Sequence, residues 1–416
     1  MTVIPAGPAD ERADSVAIGV LGLGTAGRQA VRAVEASRSV RLVAVCDRDA
    51  ATAERIGGTY GVVRHTDVST LCDDTAVEAV YVATPTFLHH EHVAYAIGCG
   101  KHVLVEKPIA ASTEEAGDLV RLSAATDRVV LAVNTRGRDA PVTQLGRCVR
   151  QGLIGRLLNV TTVWQTNWLL RPRFSYEVDP LRGGGIVFRQ APHQVEMVRE
   201  IAGGSVTAVT AVTHEVSVPL PAVGQYAVVA ELAGGASGLM SYNGCGFLDS
   251  GLLTFGIGEG GRVDAGTANA AWRRAQSWRM DKYSEVGLQF RGSSVGAGAG
   301  PWGFSGLTIV NGERGDLRQT PDGILVYGLE GTEHVPADTT EPSGLAADFE
   351  ELWAAVRTGA VPTHDCRWGA ETVAVCEAIW RSSQRHERTP IDLDAIFGTS
   401  NEAASVGVAG AGEPDR

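Results

Sequence analysis

No run of about 18 or more apolar residues occurs in the 416-residue chain, so no segment is suited to cross a membrane as a helix. The opening stretch MTVIPAGPADERADS lacks the apolar core of a secretory signal, and a cytoplasmic location is the expectation. Positive charge is short: Lys and Arg number 36 against 48 Asp and Glu, a formal net charge of −12. That balance argues against nucleic acid or an anionic membrane as a principal partner. Cysteine is present without a pattern. The seven (Cys46, Cys72, Cys99, Cys148, Cys245, Cys366 and Cys376) are odd in number and include no C-x-x-C pair. They fit neither a disulfide framework nor a zinc ribbon, and they suit a reducing compartment. Internal repeats are absent.

What is present is enough apolar residue, 44%, for a sizeable core, and 51 glycines for tight turns and close backbone approaches. At about 150 residues per domain the length suggests about two to three domains. Residues before Ser15 read as a loose polar tail. From there apolar runs at Val16–Leu23, Leu42–Cys46, Ala79–Ala83, His102–Val105 and Val129–Val133 alternate with helix patterns at Thr25–Ser37, Thr86–Gly98 and Ser112–Ala125. Short buried strands alternating with helices read as βαβ units on a parallel sheet. Downstream the rhythm changes. Val160, Thr162 and Trp164 alternate within Leu157–Trp168, Tyr226–Tyr242 reads as a hairpin turning at Gly234-Gly235, and strands are expected at Gly251–Val263, Leu307–Val310 and Ile324–Tyr327. Helices are expected at Ile186–Ala202, Ala346–Thr358 and Ala370–Arg385. The class is therefore α/β: a Rossmann-type parallel-sheet domain at 15–140, then an α+β domain at 141–397 with a large, mostly antiparallel open sheet. Flexible tails are expected at 1–14 and 398–416.

Gly22-Leu23-Gly24-Thr25-Ala26-Gly27 is a G-x-G-x-x-G placed after a buried strand and before a helix, which is the context that gives the motif meaning. The first glycine permits the turn, the second admits a pyrophosphate to the backbone, and the third lets helix and strand pack closely. Thr25 and Ala26 open the helix whose free N–H groups would face the phosphate. Asp47, at the end of the second strand, suits the ribose hydroxyls and so favours NAD; Arg48 beside it leaves NADP open. Thr84-Pro85, His89 and Glu106-Lys107-Pro108 follow later strands, where ligands of open α/β sheets bind. His89, His90 and His92 invite a metal reading, but no further ligands accompany them and hydride transfer needs none, so no metal is expected.

Three segments carry a family resemblance: GLGTAGR, ATPTFLHHEHVAYAIGCGKHVLVEKPIA, and GGGIVFRQAPHQ from Gly183 to Gln194. Together, in this order, they resemble the Gfo/Idh/MocA family, named for glucose-fructose oxidoreductase, inositol dehydrogenase and a rhizopine catabolism protein. The resemblance covers about residues 16 to 395. It implies a two-domain NAD(P)-dependent oxidoreductase whose open sheet covers the active site on one side and makes oligomer contacts. It also implies C-terminal helices that pack back on the first domain. A homodimer or homotetramer through that sheet is the expectation. By the same resemblance Lys107 is catalytic and His193 matches a catalytic histidine, while the family's aspartate four residues before that histidine is Arg189 here. Positions four apart on one helix share a face, so Arg189 and His193 are expected to point into the same space.

Oxidising a secondary alcohol requires a base for the hydroxyl proton as hydride leaves carbon. A neutral imidazole at His193 can serve, Lys107 can offset alkoxide charge, and Arg189 would favour the neutral ring or clamp a substrate. The segments Trp164–Trp168, Arg171–Arg173, Gly183–Gly185, Phe188-Arg189-Gln190, His193-Gln194, Gly306–Val310 and Glu313–Gln319 in combination resemble the branch that includes phthalate 4,5-cis-dihydrodiol dehydrogenases and glycoside oxidoreductases. Arg171, Arg173 and Arg189 would suit ring carboxylates; Trp164 and Trp168 would stack on an aromatic ring or a sugar. Asn134 and Asp179 are further substrate candidates. The expected substrate is a small molecule with a hydroxylated ring, either a sugar or glycoside or a cis-dihydrodiol. The rival reading is a non-catalytic NAD-sensing or scaffolding protein, motivated by the missing aspartate.

Overall fold

The structure, a computed structural model, describes residues 14–398 apart from 172, 217–221, 260, 264–265, 267–269, 271 and 274–302. The tails expected at 1–14 and 398–416 thus lie outside the described residues except for Asp14 and Gly398. The chain forms two compact units. One comprises Met1–Val133, Leu345–Glu371 and Asp392–Arg416; the other comprises Asn134–Gly344 and Thr372–Ile391.

In the first unit the described elements are β1 (Val16–Leu21), α1 (Thr25–Ala36), β2 (Val40–Cys46), α2 (Ala50–Tyr60), β3 (Val63–His65), α3 (Val68–Asp73), β4 (Ala79–Val82), α4 (His89–Gly98), β5 (His102–Val105), α5 (Thr113–Ala124) and β6 (Val130–Ala132). The strands form a parallel sheet in the order β3-β2-β1-β4-β5-β6. Every residue of β1 and β4 is buried, as expected for strands covered on both faces. α1 turns Ala30, Val31 and Val34 inward, and α5 starts where the Ser112 hydroxyl accepts the Glu115 N–H. Strand order reverses at β1, whose neighbours are β2 on one side and β4 on the other. The loops after β1, β4 and β5 therefore lie side by side at the carboxyl edge, where such sheets bind ligands. The helix Leu345–Thr358 joins this core, with Phe349 and Leu352 fully buried among Val20, Tyr81 and Leu104.

The second unit begins with α6 (Ala140–Arg150), β7 (Leu157–Gln165), α7 (Ser175–Val178), α8 (Gly185–Arg189), α9 (Ala191–Ala202), β8 (Val206–Val216), β9 (Ala222–Leu232) and β10 (Ser237–Asn243). It continues with β11 (Ile257–Gly258), β12 (Gly261–Arg262), β13 (Leu307–Gly312), β14 (Gly315–Thr320), β15 (Gly323–Gly328), β16 (Gly331–Pro336) and β17 (Thr389–Pro390). Its large sheet runs β16-β15-β14-β13-β7-β10-β9-β8-β17, antiparallel except where β10 and β7 pair in parallel. Burial alternates along β9, so each strand has a covered and an open face. α9 covers one face, with Val198 packed where Gly238 of β10 leaves room. The open face carries Val212, Val229 and Leu239, each at least 40% exposed.

Two expectations fail. The single helix Ile186–Ala202 is two helices, α8 and α9, broken at Gln190. Pro192 is the cause: it has no N–H for the Phe188 carbonyl, and its ring collides with the preceding turn. The strand expected over Gly251–Val263 is a 3-10 turn at Ser250–Leu253 followed by the two-residue strands β11 and β12. Positive φ at Phe255, Gly256 and Gly261 is incompatible with extended backbone there.

Phe349 gives a test of the first core. Phe349→Ala should destabilise by about 3–5 kcal/mol through the cavity beside Tyr81, read as a fall in the thermal or denaturant midpoint.

Candidate functional site

The glycine loop is set by close contact. Gly22 has φ +90, and a Cβ there would stand 2.7 Å from the Ala83 carbonyl oxygen. A Cβ on Gly27 would stand 1.8 Å from the Gly22 carbonyl oxygen. Gly24 caps α1 without a side-chain hydrogen bond, which leaves the first-turn amides around Thr25 and Ala26 without intrahelical acceptors. These are the features a pyrophosphate cradle requires. Asp47 holds the loop directly, accepting the Leu23 N–H at 2.8 Å on one oxygen and the Asp49 N–H at 2.9 Å on the other. Arg48 beside it is exposed.

After β4, the Thr84 hydroxyl shares a 3.0 Å hydrogen bond with His92 Nδ1, and Pro85 leads into a 3-10 turn at Thr86–Leu88. Burial holds His92 below its ordinary pKa. His89 is 1% exposed, with Nδ1 and Nε2 each 2.8 Å from a backbone carbonyl, those of Pro108 and Thr84. His90 pairs instead with Asp118. The three histidines thus face three different sets of partners, and among the described residues no group of His, Cys, Asp or Glu is arranged to hold a metal. After β5, Glu106 accepts the Tyr81 hydroxyl at 2.7 Å, and Lys107 is half-buried beside a cis peptide to Pro108. Burial pushes the Cys46 and Cys72 thiols up to about 12, which disqualifies both as nucleophiles near neutral pH.

In the second unit, α9 presents His193 against the covered sheet face. Its ring lies 6.0 Å from that of buried Trp164, which meets Tyr242 edge-on at 5.7 Å. Tyr242 stacks on Tyr226. The next residue, Gln194, is fully buried: its amide donates to Thr162 and to the Ser241 carbonyl and accepts the Tyr226 hydroxyl at 2.6 Å. That network anchors the helix turn that carries His193.

Arg189, released from the α9 face by the break, extends to Glu177 at 3.9 Å. Glu177 is buried, takes the Phe174 N–H at 2.8 Å, and also meets Arg173 at 3.5 Å. Arg173 lies 3.8 Å over the Trp168 ring and donates to the Trp168 carbonyl. Arg171 is exposed and bonds Asn167. Gln190 is buried and its carbonyl accepts the His193 N–H. Asp179 caps the turn at Pro180–Arg182 through the Leu181 N–H, with a side chain 41% exposed. Asn134 is fully buried; Oδ1 accepts the Gly137 N–H, while Nδ2 has no partner among the described residues and is a donor a ligand could use.

The structure thus gathers Trp164, His193 and Gln190 in one place and Trp168, Arg173 and Arg189 in another around Glu177, while Arg171 and Asp179 are engaged in local turns. Sequence reasoning missed Glu177, Gln194, Tyr226 and Tyr242. Only Glu177 left a local signal, as the carboxylate four residues after Arg173.

Comparison with known proteins adds the following. Residues 16–135 match a model described as an oxidoreductase family, NAD-binding Rossmann fold, and residues 142–245 match the GFO/IDH/MocA C-terminal domain. A 1-carboxy-3-chloro-3,4-dihydroxycyclohexa-1,5-diene dehydrogenase from Comamonas testosteroni is 27% identical over 87% of this chain and 93% of its own. The 1,5-anhydro-D-fructose reductase of Ensifer adhaerens is 31% identical over 47% of this chain and 59% of its own. A crystal structure from Bordetella bronchiseptica RB50, 31% identical, aligns over 91% of this chain and 100% of that one with a TM-score of 0.80.

The glycine loop predicts its own sensitivity. Gly27→Ala should weaken NADH binding by about ten- to a hundredfold, the equivalent of one lost charge-assisted hydrogen bond, in a fluorescence titration of protein whose circular dichroism matches wild type.

Proposed function

We infer the reaction from one premise: the chain belongs to the Gfo/Idh/MocA family of oxidoreductases. It is an NAD(P)-dependent enzyme that moves a hydride between nicotinamide and a secondary alcohol or ketone of a hydroxylated ring. Our finer reading is that the ring is a cis-dihydrodiol bearing a carboxylate. The observation that carries it is the pair Arg173 and Arg189 around buried Glu177. Arg189 is 29% exposed, so its guanidinium keeps access to a ligand while Glu177 holds it in place. The Comamonas relative, similar along nearly its full length, bears carboxy and dihydroxy groups in its substrate's name.

In this reading Gly22, Gly24, Thr25, Ala26 and Gly27 hold the pyrophosphate, and Asp47 and Arg48 flank the ribose. Thr84, Pro85, Glu106 and Lys107 border the nicotinamide. When bound, NAD supplies the acceptor for the hydride that leaves the carbinol carbon. His193 takes the hydroxyl proton, and Lys107 donates to the oxygen as negative charge develops. Trp164, Trp168, Asn134 and Gln190 orient the ring, Arg173 and Arg189 receive its carboxylate, and Arg171 and Asp179 shape the adjoining turns. We place the enzyme in the cytoplasm, in keeping with seven free cysteines, and assign the open sheet face to contact with a second copy.

The test is NADH formation over a panel of carboxylated cis-dihydrodiols, neutral sugars and glycosides. Turnover on the carboxylated diols should fall by about a hundredfold or more in Lys107→Ala, with NAD still bound. Arg189→Ala should raise KM for those diols by about ten- to a hundredfold. Turnover on neutral sugars that is indifferent to Arg189→Ala would replace the diol reading. Silence on the whole panel with NAD bound would favour a sensing or scaffolding protein. For assembly, Val229→Glu with Leu239→Glu should convert the wild-type oligomer to monomer in light scattering; a mass that stays unchanged removes the sheet face from the interface.

A further inference from the structure

We propose that His89 and Tyr81 are the positioning pair that sets where the Lys107 ammonium stands, and that His89 acts on the reaction through Lys107 rather than by touching the cofactor. The proposal rests on the role assigned to Lys107 above and concerns how that role is made possible.

Lysine places a point charge at the end of four rotatable bonds, so its reach is only as well defined as the backbone that carries it. Lys107 lies just past the end of β5, where the parallel ladder to β4 closes with the pair Val82–Val105 and the Glu106 N–H donates to the Val82 carbonyl. Beyond that point side chains take over. On one flank Glu106 accepts the Tyr81 hydroxyl at 2.7 Å, from a tyrosine with no exposed surface. Burial and the neighbouring Glu106 carboxylate hold the Tyr81 phenol well above its ordinary pKa, so its hydroxyl remains a donor. On the other flank the Pro108 carbonyl lies 2.8 Å from His89 Nδ1, and the opposite ring nitrogen lies 2.8 Å from the Thr84 carbonyl. One buried ring therefore stands between the loop after β4 and the turn after β5, donating to both carbonyls as imidazolium and to one of them as a neutral ring. Both nitrogens face main-chain carbonyls rather than a cofactor. Lys107 sits between two residues that are each held by a buried side chain, while Pro108 restricts the backbone further.

Such support matters because a displacement of about 1 Å at a reacting group can cost about a hundredfold in rate. Tyr81→Phe removes one hydroxyl and keeps the ring packed. His89→Gln removes the ring that spans the two carbonyls with little change in volume. The measurements are kcat and KM, NADH affinity by titration, the thermal midpoint, and the NMR signal of the Lys107 amine after reductive 13C-methylation, assigned by its loss in Lys107→Ala. The expected result is a kcat lowered about ten- to a hundredfold in His89→Gln and less in Tyr81→Phe. NADH affinity should stay within about twofold, since each factor of ten is about 1.4 kcal/mol of lost contact. The Lys107 resonance should shift or broaden, and the double variant should fall short of the product of the singles. Loss of NADH affinity in step with kcat would overturn the proposal and make His89 a cofactor contact. A lowered thermal midpoint with unchanged kcat and an unchanged Lys107 signal would make it merely structural. Full turnover in Lys107→Ala would remove the assigned role of that lysine, whereas the Lys107 signal in His89→Gln reports on the tie independently.

Discussion

The first unit depends on one close approach. The backbone of Gly22 and the start of α1 meet at a distance that leaves no room for a side chain: a Cβ at Gly27 would overlap the Gly22 carbonyl oxygen. This contact fixes where α1 begins relative to β1. Asp47 then completes the loop from β2 through the Leu23 N–H. The same carboxylate that suits a ribose is thus also a structural fastener of the loop, and a single residue couples the nucleotide-binding edge to the sheet beneath it.

Around His193 the governing principle is full satisfaction of buried polar groups. Gln194 has hydrogen bonds to β7, β9 and β10 through one amide. A helix turn anchored in that way cannot rotate without leaving buried donors and acceptors unmet, which is costly away from water. The arginine cluster follows the same rule with charge. Glu177 is buried and is matched by a backbone N–H and two guanidinium groups. Arg189 is thereby set against a buried carboxylate, and its positive charge is balanced within the cluster.

Much of this was legible in the chain itself. Alternating buried strands and helices, the G-x-G-x-x-G in its strand–helix setting, and the Glu-Lys-Pro turn each depend on residues adjacent in sequence, whose conformational limits are local. The Gly234-Gly235 hairpin was legible for the same reason: both glycines take the positive φ the turn demands. Local pattern failed where local rules compete. Helical periodicity ran unbroken through Ile186–Ala202, yet Pro192 ended one helix and began another. A strand was expected over Gly251–Val263, yet positive φ values at Phe255, Gly256 and Gly261 made turns.

The sequence by itself determined the fold class and the glycine loop, because these follow from short-range sterics and hydrogen-bond geometry, while Lys107 and His193 were singled out by the resemblance of their motifs to the family. Tertiary structure alone decided the partners of those residues. That His89 faces two carbonyls, that Glu177 gathers Arg173 and Arg189, and that Gln194 is clamped among Thr162, Ser241 and Tyr226 all follow from which strands became neighbours. Strand order is set by the burial of whole faces and the connections between them, and no spacing along the chain encodes which distant carbonyl a buried ring will meet.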